Sequence, residues 1–258
     1  MTDLTAQSQK LLALHADPAL LKVVNVWDAI TARVVSGVDG IEALATASHS
    51  IAAAHGYEDG EHIPVDLMIE AIGTVVAATD LPVTADLEAG YGNPGETARK
   101  AMSVGVVGAN LEDQMKPLPE AVAAVEAVLA AGHAEGIDFV LNARTDAFVL
   151  AGDRPHADVL ADAIERGSAY LAAGAPLVFV PGLLTEDDVT AFVDAWGPQK
   201  LTVIGVPGSL PLERLEELGV ARVSYGPTSQ SVALMALQDL TRDIVAGGAL
   251  PADFRPLN

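Results

Sequence analysis

The chain has 258 residues, half of them hydrophobic, with 35 acidic against 14 basic residues and a formal net charge of −21. Because so acidic a surface repels phosphate backbones and anionic lipids, we expect no nucleic-acid and no membrane partner. The absence of cysteine excludes a disulfide framework, a thiolate metal site and a cysteine nucleophile.

The N-terminal segment, residues 1–21, has no basic region followed by an apolar stretch, which argues against a secretory signal. No apolar run approaches the roughly 18 residues that a membrane-spanning helix needs. We therefore expect a cytoplasmic protein.

Short runs rich in β-branched residues alternate along the chain with longer, alanine-rich amphipathic segments. Such alternation is typical of βα units around a parallel sheet. The segments between the runs, for example 95–104 and 120–136, are predicted helices. The eight predicted strands cover residues 22–26, 40–47, 81–88, 105–112, 139–145, 176–182, 201–208 and 221–227.

Eight such units in about 250 residues match the size of a (β/α)8 TIM barrel. The alternative is a doubly wound open sheet with fewer strands, but no predicted strand is followed by G-x-G-x-x-G or by a P-loop pattern. No linker rich in proline or serine divides the chain. We therefore predict an α/β fold, with a single barrel domain over residues 1–258.

Polar residues recur where the predicted strands end. In a barrel these ends converge on one face, where the active site is built, so the pattern favours an enzyme. The set comprises the segment Asn25–Asp28 with Trp27 inside it, then Ser48, His49 and Ser50, Asp86 and Glu88, Asn110, Glu112 and Asp113, and Asn142, Arg144, Thr145 and Asp146.

Carboxylates form the densest part of this set. Asp86 and Glu88 are two residues apart on one predicted strand, so their side chains share a face. Glu112, with Asp113 beside it, arrives at the same height on the next strand. Three carboxylates at a barrel mouth repel one another unless a cation lies among them, and oxygen ligands suit Mg²⁺. Alternatively, these acids cap the following helices.

Arg144 is conspicuous because basic residues are scarce. It could bind a substrate carboxylate or neutralise a developing oxyanion, or it could form an ion pair with Asp146 or Glu112. Ser48 lies where a strand passes into a helix, which suits anion binding or an ordinary N-cap. Of the histidines only His49 falls near the proposed site, and no HExxH spacing supports zinc.

Three motifs in order, PVTADLEAGYG (82–92), GANLED (108–113) and NARTDA (142–147), resemble those of the isocitrate lyase/phosphoenolpyruvate mutase superfamily. The segment 25–56 is similar to the N-terminal third of its members, so the resemblance extends over most of the chain. It implies a (β/α)8 barrel and an enzyme that makes or breaks a C–C or C–P bond beside a 2-oxo acid, through an enolate stabilised by Mg²⁺ and an arginine.

The resemblance also assigns roles to residues. Asp86, Glu88 and Glu112 fall on the Mg²⁺ segment, with much of the coordination passing through water and Mn²⁺ as an alternative ion. Arg144 falls on the arginine that contacts the substrate, and Ser48 falls where the substrate carboxylate binds; these two are the candidate catalytic residues. Asp59 matches an acid in the loop after the second helix. The candidate substrate contacts are Trp27, Ser48, His49, Asn110 and Arg144.

Two features depart from the family's pattern. Glu88 stands where the motif usually has aspartate, so its carboxylate reaches one methylene further. The lyase branch carries a catalytic cysteine in a K-[KR]-C-G-H segment, whereas this chain continues from NLED to QMKPLPE. Cleavage of isocitrate or 2-methylisocitrate by the usual route is therefore not expected. In that segment, Lys116 is either a substrate contact or a solvated lysine.

These residues favour a Mg²⁺-dependent lyase that cleaves a C–C bond of a small, oxaloacetate-like 2-oxo acid through a pyruvate enolate. The alternatives are phosphoenolpyruvate mutase or phosphonopyruvate hydrolase chemistry and a non-catalytic ligand-binding barrel. Separately, the turns at 205–209 and 224–227 could bind a phosphate, as in many barrels. By resemblance we expect a homo-oligomer, a dimer or tetramer, in which a C-terminal helical segment, about 228–258, is exchanged between subunits.

Overall fold

Nine strands, all parallel, form one sheet in the part of the chain that the structure, a computed structural model, describes: residues 3–253. They are β1 (Leu21–Val23), β2 (Asn25–Val26), β3 (Leu44–Thr46), β4 (Val83–Asp86), β5 (Gly108–Glu112), β6 (Val140–Arg144), β7 (Leu177–Val180), β8 (Leu201–Ile204) and β9 (Arg222–Ser224).

The sheet closes into a barrel through the first predicted strand. The spatial order is β1-β9-β8-β7-β6-β5-β4-β3-β2, so β1 and β2 lie at opposite ends of the order although only Val24 separates them in the chain. β1 pairs with β9 (Leu21 opposite Arg222) and β2 pairs with β3 (Asn25 opposite Ala45). One continuous segment therefore joins both edges, and the predicted (β/α)8 barrel is confirmed.

Helices follow the strands around the barrel. They are α1 (Leu4–Ala16), α2 (Ala29–Ser36), α3 (Ser48–Ala54), α4 (Val65–Val76), α5 (Pro94–Ser103), α6 (Leu118–Ala134), α7 (His156–Ala172), α8 (Glu186–Trp196), α9 (Leu212–Glu217) and α10 (Thr228–Val245). Local sequence fixes their starts: Asp28 caps α2 in a capping box with Thr31, and Asn93 caps α5, whose first residue is proline. Within the described residues, no helix is long and apolar enough to cross a membrane.

Helix α1 covers the N-terminal end of the barrel. Its Leu11 is fully buried in a cluster with Leu21, Val140 and Leu177. At Gly108, the first residue of β5, an added Cβ would lie 2.9 Å from Leu11 Cδ2 and 2.7 Å from the carbonyl oxygen of Val140. Only glycine therefore fits where α1 meets the sheet.

Two basic side chains are buried near this end of the fold. His15 is 2% and Arg222 1% exposed, and His15 Nδ1 lies 2.8 Å from the carbonyl oxygen of Leu11. Burial, and then the charge of Arg222, lowers the pKa of His15 from 6.5 to about 3. Burial also lowers the pKa of Arg222 to about 10, against the opposing charge of Asp86. His15 is therefore held neutral in the folded protein.

This burial predicts a loss of stability in mild acid. Because the folded-state pKa of His15 lies below its usual 6.5, the unfolded chain binds more protons below pH 6.5. Above pH 6.5, His15 is neutral in both the folded and the unfolded chain, so it makes no pH-dependent difference to stability. Below pH 6.5, the free energy of unfolding falls as the pH drops towards 3. At about pH 5 the loss should be about 2 kcal/mol.

The measurement is urea unfolding at about pH 7.5 and pH 5. His15→Gln removes the titrating group while its amide can still donate to Leu11, and the exposed His133 provides a matched control, His133→Gln. The wild type and the control should lose about 2 kcal/mol more than His15→Gln between the two pH values. Equal losses in all three proteins would contradict the assignment.

Helix α10 leaves the barrel. Its first turn is anchored, because Ser229 Oγ donates to the carbonyl oxygen of Asn25 at 2.7 Å and Gln230 Nε2 to that of Ser50 at 3.0 Å. Beyond this turn its apolar side chains are exposed, among them Val232, Leu234, Met235, Leu237 and Ile244 at 50–62%. The exchange of the segment 228–258 between subunits stays a prediction, and residues 254–258 of it lie outside the described residues.

Candidate active site

The carboxyl ends of the strands surround a cavity of about 430 Å³. Seven of the eight candidate site residues line it: Ser48, His49, Asp86, Glu88, Asn110, Glu112 and Arg144. Asp59 lines it as well, from the loop after α3. Trp27 is not among the lining residues; it is half-buried and packs against the hydrophobic core, and its role in substrate binding stays a prediction. The barrel topology thus brings together residues that lie almost 100 positions apart.

Asp86 ends β4 and is held by Ser48. The backbone N–H and the hydroxyl of Ser48 both donate to Asp86 Oδ2, at 3.2 and 2.8 Å. Among residues 3–253, no donor hydrogen-bonds to Oδ1 of this carboxylate. Ser48 therefore orients Asp86 rather than presenting two free donors to a ligand, and Asp86 is left with one oxygen available in the cavity.

Glu88 is engaged on both oxygens. Tyr91 Oη donates to Oε1 at 2.6 Å, and the backbone N–H of Glu61 donates to Oε2. Glu88 has a φ of 51°, in the left-handed region that non-glycine residues rarely occupy. Its side chain is buried, and burial raises its pKa despite these hydrogen bonds. Each oxygen of Glu88 therefore already accepts one hydrogen bond, which leaves it less able to coordinate a metal directly than a carboxylate oxygen without a partner.

Arg144, at the end of β6, lies between two carboxylates. Nη1 is 2.9 Å from Glu112 Oε2, and Nε is 2.7 Å from Asp146 Oδ1. Both proposed ion pairs are therefore present. Burial lowers the pKa of Arg144, but the charges of Asp146, Glu112 and Asp86 outweigh it and raise the pKa overall. Arg144 remains charged, and its Nη2 has no hydrogen-bond partner within the described chain.

Glu112 has the most perturbed acid–base behaviour of the lining carboxylates. Burial raises its pKa to about 7; Arg144 opposes the shift, and Asp146 and Asp86 add to it. Burial also raises the pKa of Asp146. A group with such a pKa exchanges its proton at neutral pH, which is typical of functional sites.

Asp113, predicted beside Glu112, turns away from the cavity. Its Oδ2 accepts from Tyr170 Oη at 2.6 Å and from Arg166 Nη1 at 3.1 Å. Its Oδ1 accepts from the N–H groups of Met115 and Asp146 at 2.9 and 3.0 Å. Asp113 is therefore a buried structural carboxylate that holds the loop after β5 and Asp146 in position, and it is not a fourth acid of the site.

The loop after β5 is short, spanning residues 113–117 before α6 begins. Lys116, in this loop, lines a separate cavity of about 360 Å³. Glu112 and Arg144 border both cavities. Lys116 therefore lines this second cavity and not the cavity at the strand ends.

The turns after β8 and β9 have few free amides. Asn25 Oδ1 accepts from the N–H groups of Tyr225 and Gly226, each at 2.8 Å. In the turn after β8, Ser209 Oγ accepts from the N–H of Val206 at 2.9 Å. These donors, considered above for a phosphate group, are occupied within the protein.

Comparison with known proteins decides the family. Residues 11–245 match the family model described as phosphoenolpyruvate phosphomutase. The chain belongs to this family. It is 30% identical over 249 residues to 2,3-dimethylmalate lyase of Eubacterium barkeri, with 90% of this chain and 83% of that protein covered. The chain is thus a carbon–carbon lyase or phosphonomutase of the isocitrate lyase/phosphoenolpyruvate mutase superfamily, and the resemblance read from the motifs is confirmed.

Solved structures of the superfamily have the same fold. A Burkholderia cenocepacia protein provisionally described as a phosphonomutase is 38% identical, with a TM-score of 0.86 over 95% of this chain and 100% of that chain. Oxaloacetate acetylhydrolase in complex with oxalate is 24% identical, with a TM-score of 0.86 over 100% and 93% of the two chains. At that identity the second likeness concerns the fold alone.

The divalent cation implied by the resemblance has suitable donors in this family member. Asp86 Oδ1 is free, and the carboxylates of Glu112 and Glu88 line the same cavity. Among residues 3–253, no three His, Cys, Asp or Glu side chains converge as a ready-made metal cluster. An all-oxygen donor set with one free carboxylate oxygen fits Mg²⁺, which keeps several of its waters.

Sequence reasoning missed two features of the site. Glu61 contacts Glu88 from a loop 27 residues earlier in the chain, and Tyr91 contacts it from three residues later. Only the GYG part of the motif pointed to Tyr91. The other feature is an apolar side of the cavity, formed after β6, β7 and β8. The apolar ends of the predicted strands 176–182 and 201–208 carried that signal.

Proposed function

We propose that the protein is a Mg²⁺-dependent lyase that cleaves a C–C bond of a small 2-oxo acid of the oxaloacetate type. The proposal depends chiefly on one observation: Arg144, with Nη2 free, and Asp86, with Oδ1 free, line the same cavity of the described chain. A permanent cation and a metal-binding oxygen at one place suit a reaction in which negative charge develops on an oxygen.

For oxaloacetate, the bond between C3 and C4 breaks and C4 leaves as CO₂. The bonding electron pair becomes the C2–C3 double bond of an enolate, whose oxygen carries the charge, and a proton from solvent then joins C3 to give pyruvate. When bound, Mg²⁺ supplies positive charge beside that oxygen. Arg144 orients the substrate and stabilises the charge, and Ser48 keeps Asp86 in position. No cysteine acid is needed, because CO₂ departs without a proton.

The test is incubation with Mg²⁺ and, separately, oxaloacetate, phosphonopyruvate and 2-methylisocitrate, with pyruvate release as the readout. We expect turnover of oxaloacetate above the rate with Mg²⁺ alone, and its loss with EDTA. Release of pyruvate and phosphate from phosphonopyruvate would favour the C–P alternative instead. No turnover of any substrate, together with no Mg²⁺-dependent binding of oxalate, would contradict both.

We also propose that the enzyme is a homo-oligomer assembled through α10. Leu237 and Ile244 are seven residues apart, hence on one side of the helix, and are 58% and 50% exposed.

The double substitution Leu237→Lys with Ile244→Lys should convert a dimer or tetramer into a 26.5 kDa monomer, because it places two charges in an apolar contact. Light scattering after size exclusion measures this. Gln238→Lys, on the same exposed helix, is the control and should leave the mass unchanged; a double variant with the wild-type mass would contradict the proposal.

A further inference from the structure

The cavity has two chemically different sides. Ser48, Asp86, Glu112 and Arg144, at the ends of β3 to β6, form the polar side. The opposite side, which we call the apolar wall, consists of Val149, Phe179, Pro181, Leu183, Ile204 and Val206. Because β6, β7 and β8 are neighbours in the sheet, the wall is continuous.

The base of the apolar wall is buried in the barrel, and the side chains at its rim are exposed to solvent. Phe179, in β7, is 5% exposed, and Ile204 ends β8. At the rim, Leu183 and Val149 are 59% and 52% exposed. Leu183 leans over the turn after β8, where an added Cβ at Gly208 would lie 3.7 Å from it. Exposed large apolar side chains lining a concavity are typical of a small-molecule pocket.

The charges of the cavity lie on one side only. Arg144 is the one lysine or arginine, among the described residues, that lines the cavity, and it already pairs with Glu112 and Asp146. His49 lies 3.6 Å from Asp59, whose carboxylate neutralises any positive charge on it. A second anionic group that a ligand retained would therefore meet the apolar wall without a cationic partner, which is costly.

The cavity also has room beyond a pyruvate-like head. About 430 Å³ corresponds to about 14 water molecules at about 30 Å³ each. The six heavy atoms of a pyruvate unit, held between Arg144 and Asp86, leave space against the wall for several more carbon atoms.

We propose that the substrate is a 2-oxo acid whose part beyond the reacting carbons carries an apolar side chain and no second charge that survives the reaction. This inference rests on the proposed function, since the polar side is taken to bind the 2-oxo acid head. A second carboxylate is compatible only where it leaves as neutral CO₂. Acids that retain a terminal carboxylate or phosphonate should be poor ligands.

Calorimetry with Mg²⁺ present tests the inference with two ligands that share a head. In 4-methyl-2-oxopentanoate the tail is apolar, and in 2-oxoglutarate it ends in a carboxylate. We expect the first to bind at least about tenfold more tightly, because its tail removes apolar surface from water against the wall. Equal affinities, or tighter binding of 2-oxoglutarate, would overturn the inference.

Substitution at the rim sharpens the test. Leu183→Arg places a cation on the wall and should reverse the preference, strengthening 2-oxoglutarate binding about tenfold and weakening the apolar ligand. Leu150→Arg is the matched control, because Leu150 is 55% exposed but does not line the cavity; it should leave both affinities unchanged. Equal responses to the two substitutions would show that net charge alone acts, and would overturn the inference.

Oxalate separates this inference from the proposed function. Having no tail, it should bind with Mg²⁺ to the wild type and to Leu150→Arg alike. If oxalate binds but the apolar tail brings no advantage, the inference fails and the proposed function stands. If oxalate does not bind while the tail preference is observed, the enolate site fails and the wall remains a binding site. Absence of binding by every ligand would overturn both.

Discussion

Replacing Arg144 with lysine should lower kcat for Mg²⁺-dependent oxaloacetate cleavage by about 10²- to 10³-fold. Lysine keeps the charge but loses the planar fork that reaches Glu112 and Asp146 and still has Nη2 without a partner in the described chain. Removing one preorganised donor from a developing oxyanion typically costs this much. Since the interaction is strongest in the transition state, kcat should fall more than KM rises.

The assay follows pyruvate, with the rate of Mg²⁺ alone subtracted. Arg154→Lys is the matched control, because Arg154 forms an ion pair with Asp162 at 2.8 Å on the protein surface. That variant should retain full activity. Activity of Arg144→Lys within about threefold of the wild type would remove Arg144 from the chemistry.

The barrel could be predicted because strand identity depends on local pattern. β-branched runs and alanine-rich helices identify the strands with no knowledge of contacts. The boundaries were less accurate: the strand predicted from residue 105 begins at Gly108, because Gly105 has a φ of 102° and forms the turn before it. The break of the first predicted strand into β1 and β2 at Val24 was not predictable, since it arises only when the sheet closes on itself.

The sequence predicted which residues lie at the site, but not which hydrogen-bond partners their side chains have. Placing Asp86, Glu112 and Arg144 on one face needed only strand ends that converge. The orientation of Asp113 depends on Tyr170 and Arg166, which lie more than 50 residues further along the chain. Partners this far apart in sequence come together only when the barrel forms. Spacing along one strand therefore cannot distinguish an acid of the site from a structural carboxylate.

Because their carboxylates have different hydrogen-bond partners, Asp86, Glu112 and Glu88 should contribute unequally to Mg²⁺ binding. Asp86→Asn should weaken Mg²⁺ affinity most, by about 10²-fold or more, because Asp86 has the free oxygen and Ser48 holds it in place. Glu112→Gln should cost about 10- to 100-fold, since Glu112 shares its charge with Arg144. Glu88→Gln should cost about tenfold or less, because both oxygens of Glu88 already accept hydrogen bonds from Tyr91 and Glu61.

Titration calorimetry with Mg²⁺ measures this order. Asp66→Asn is the matched control for net charge, because Asp66 forms an exposed ion pair with Lys100 and its loss removes the same charge as Asp86→Asn. The control should leave Mg²⁺ affinity unaltered. If Glu88→Gln lowers the affinity more than Asp86→Asn does, the predicted order is wrong and Glu88 is the stronger ligand of the metal.

Ser48→Ala separates the two roles that Ser48 could have. If Ser48 orients Asp86, the substitution should weaken Mg²⁺ binding by about tenfold, as loss of a supporting hydrogen bond commonly does. If Ser48 only bound the substrate carboxylate, Mg²⁺ affinity would be unchanged and oxalate affinity alone would fall. Since the hydroxyl and the backbone N–H of Ser48 share Asp86 Oδ2, the N–H bond remains in the variant, so the loss should stay smaller than that of Asp86→Asn.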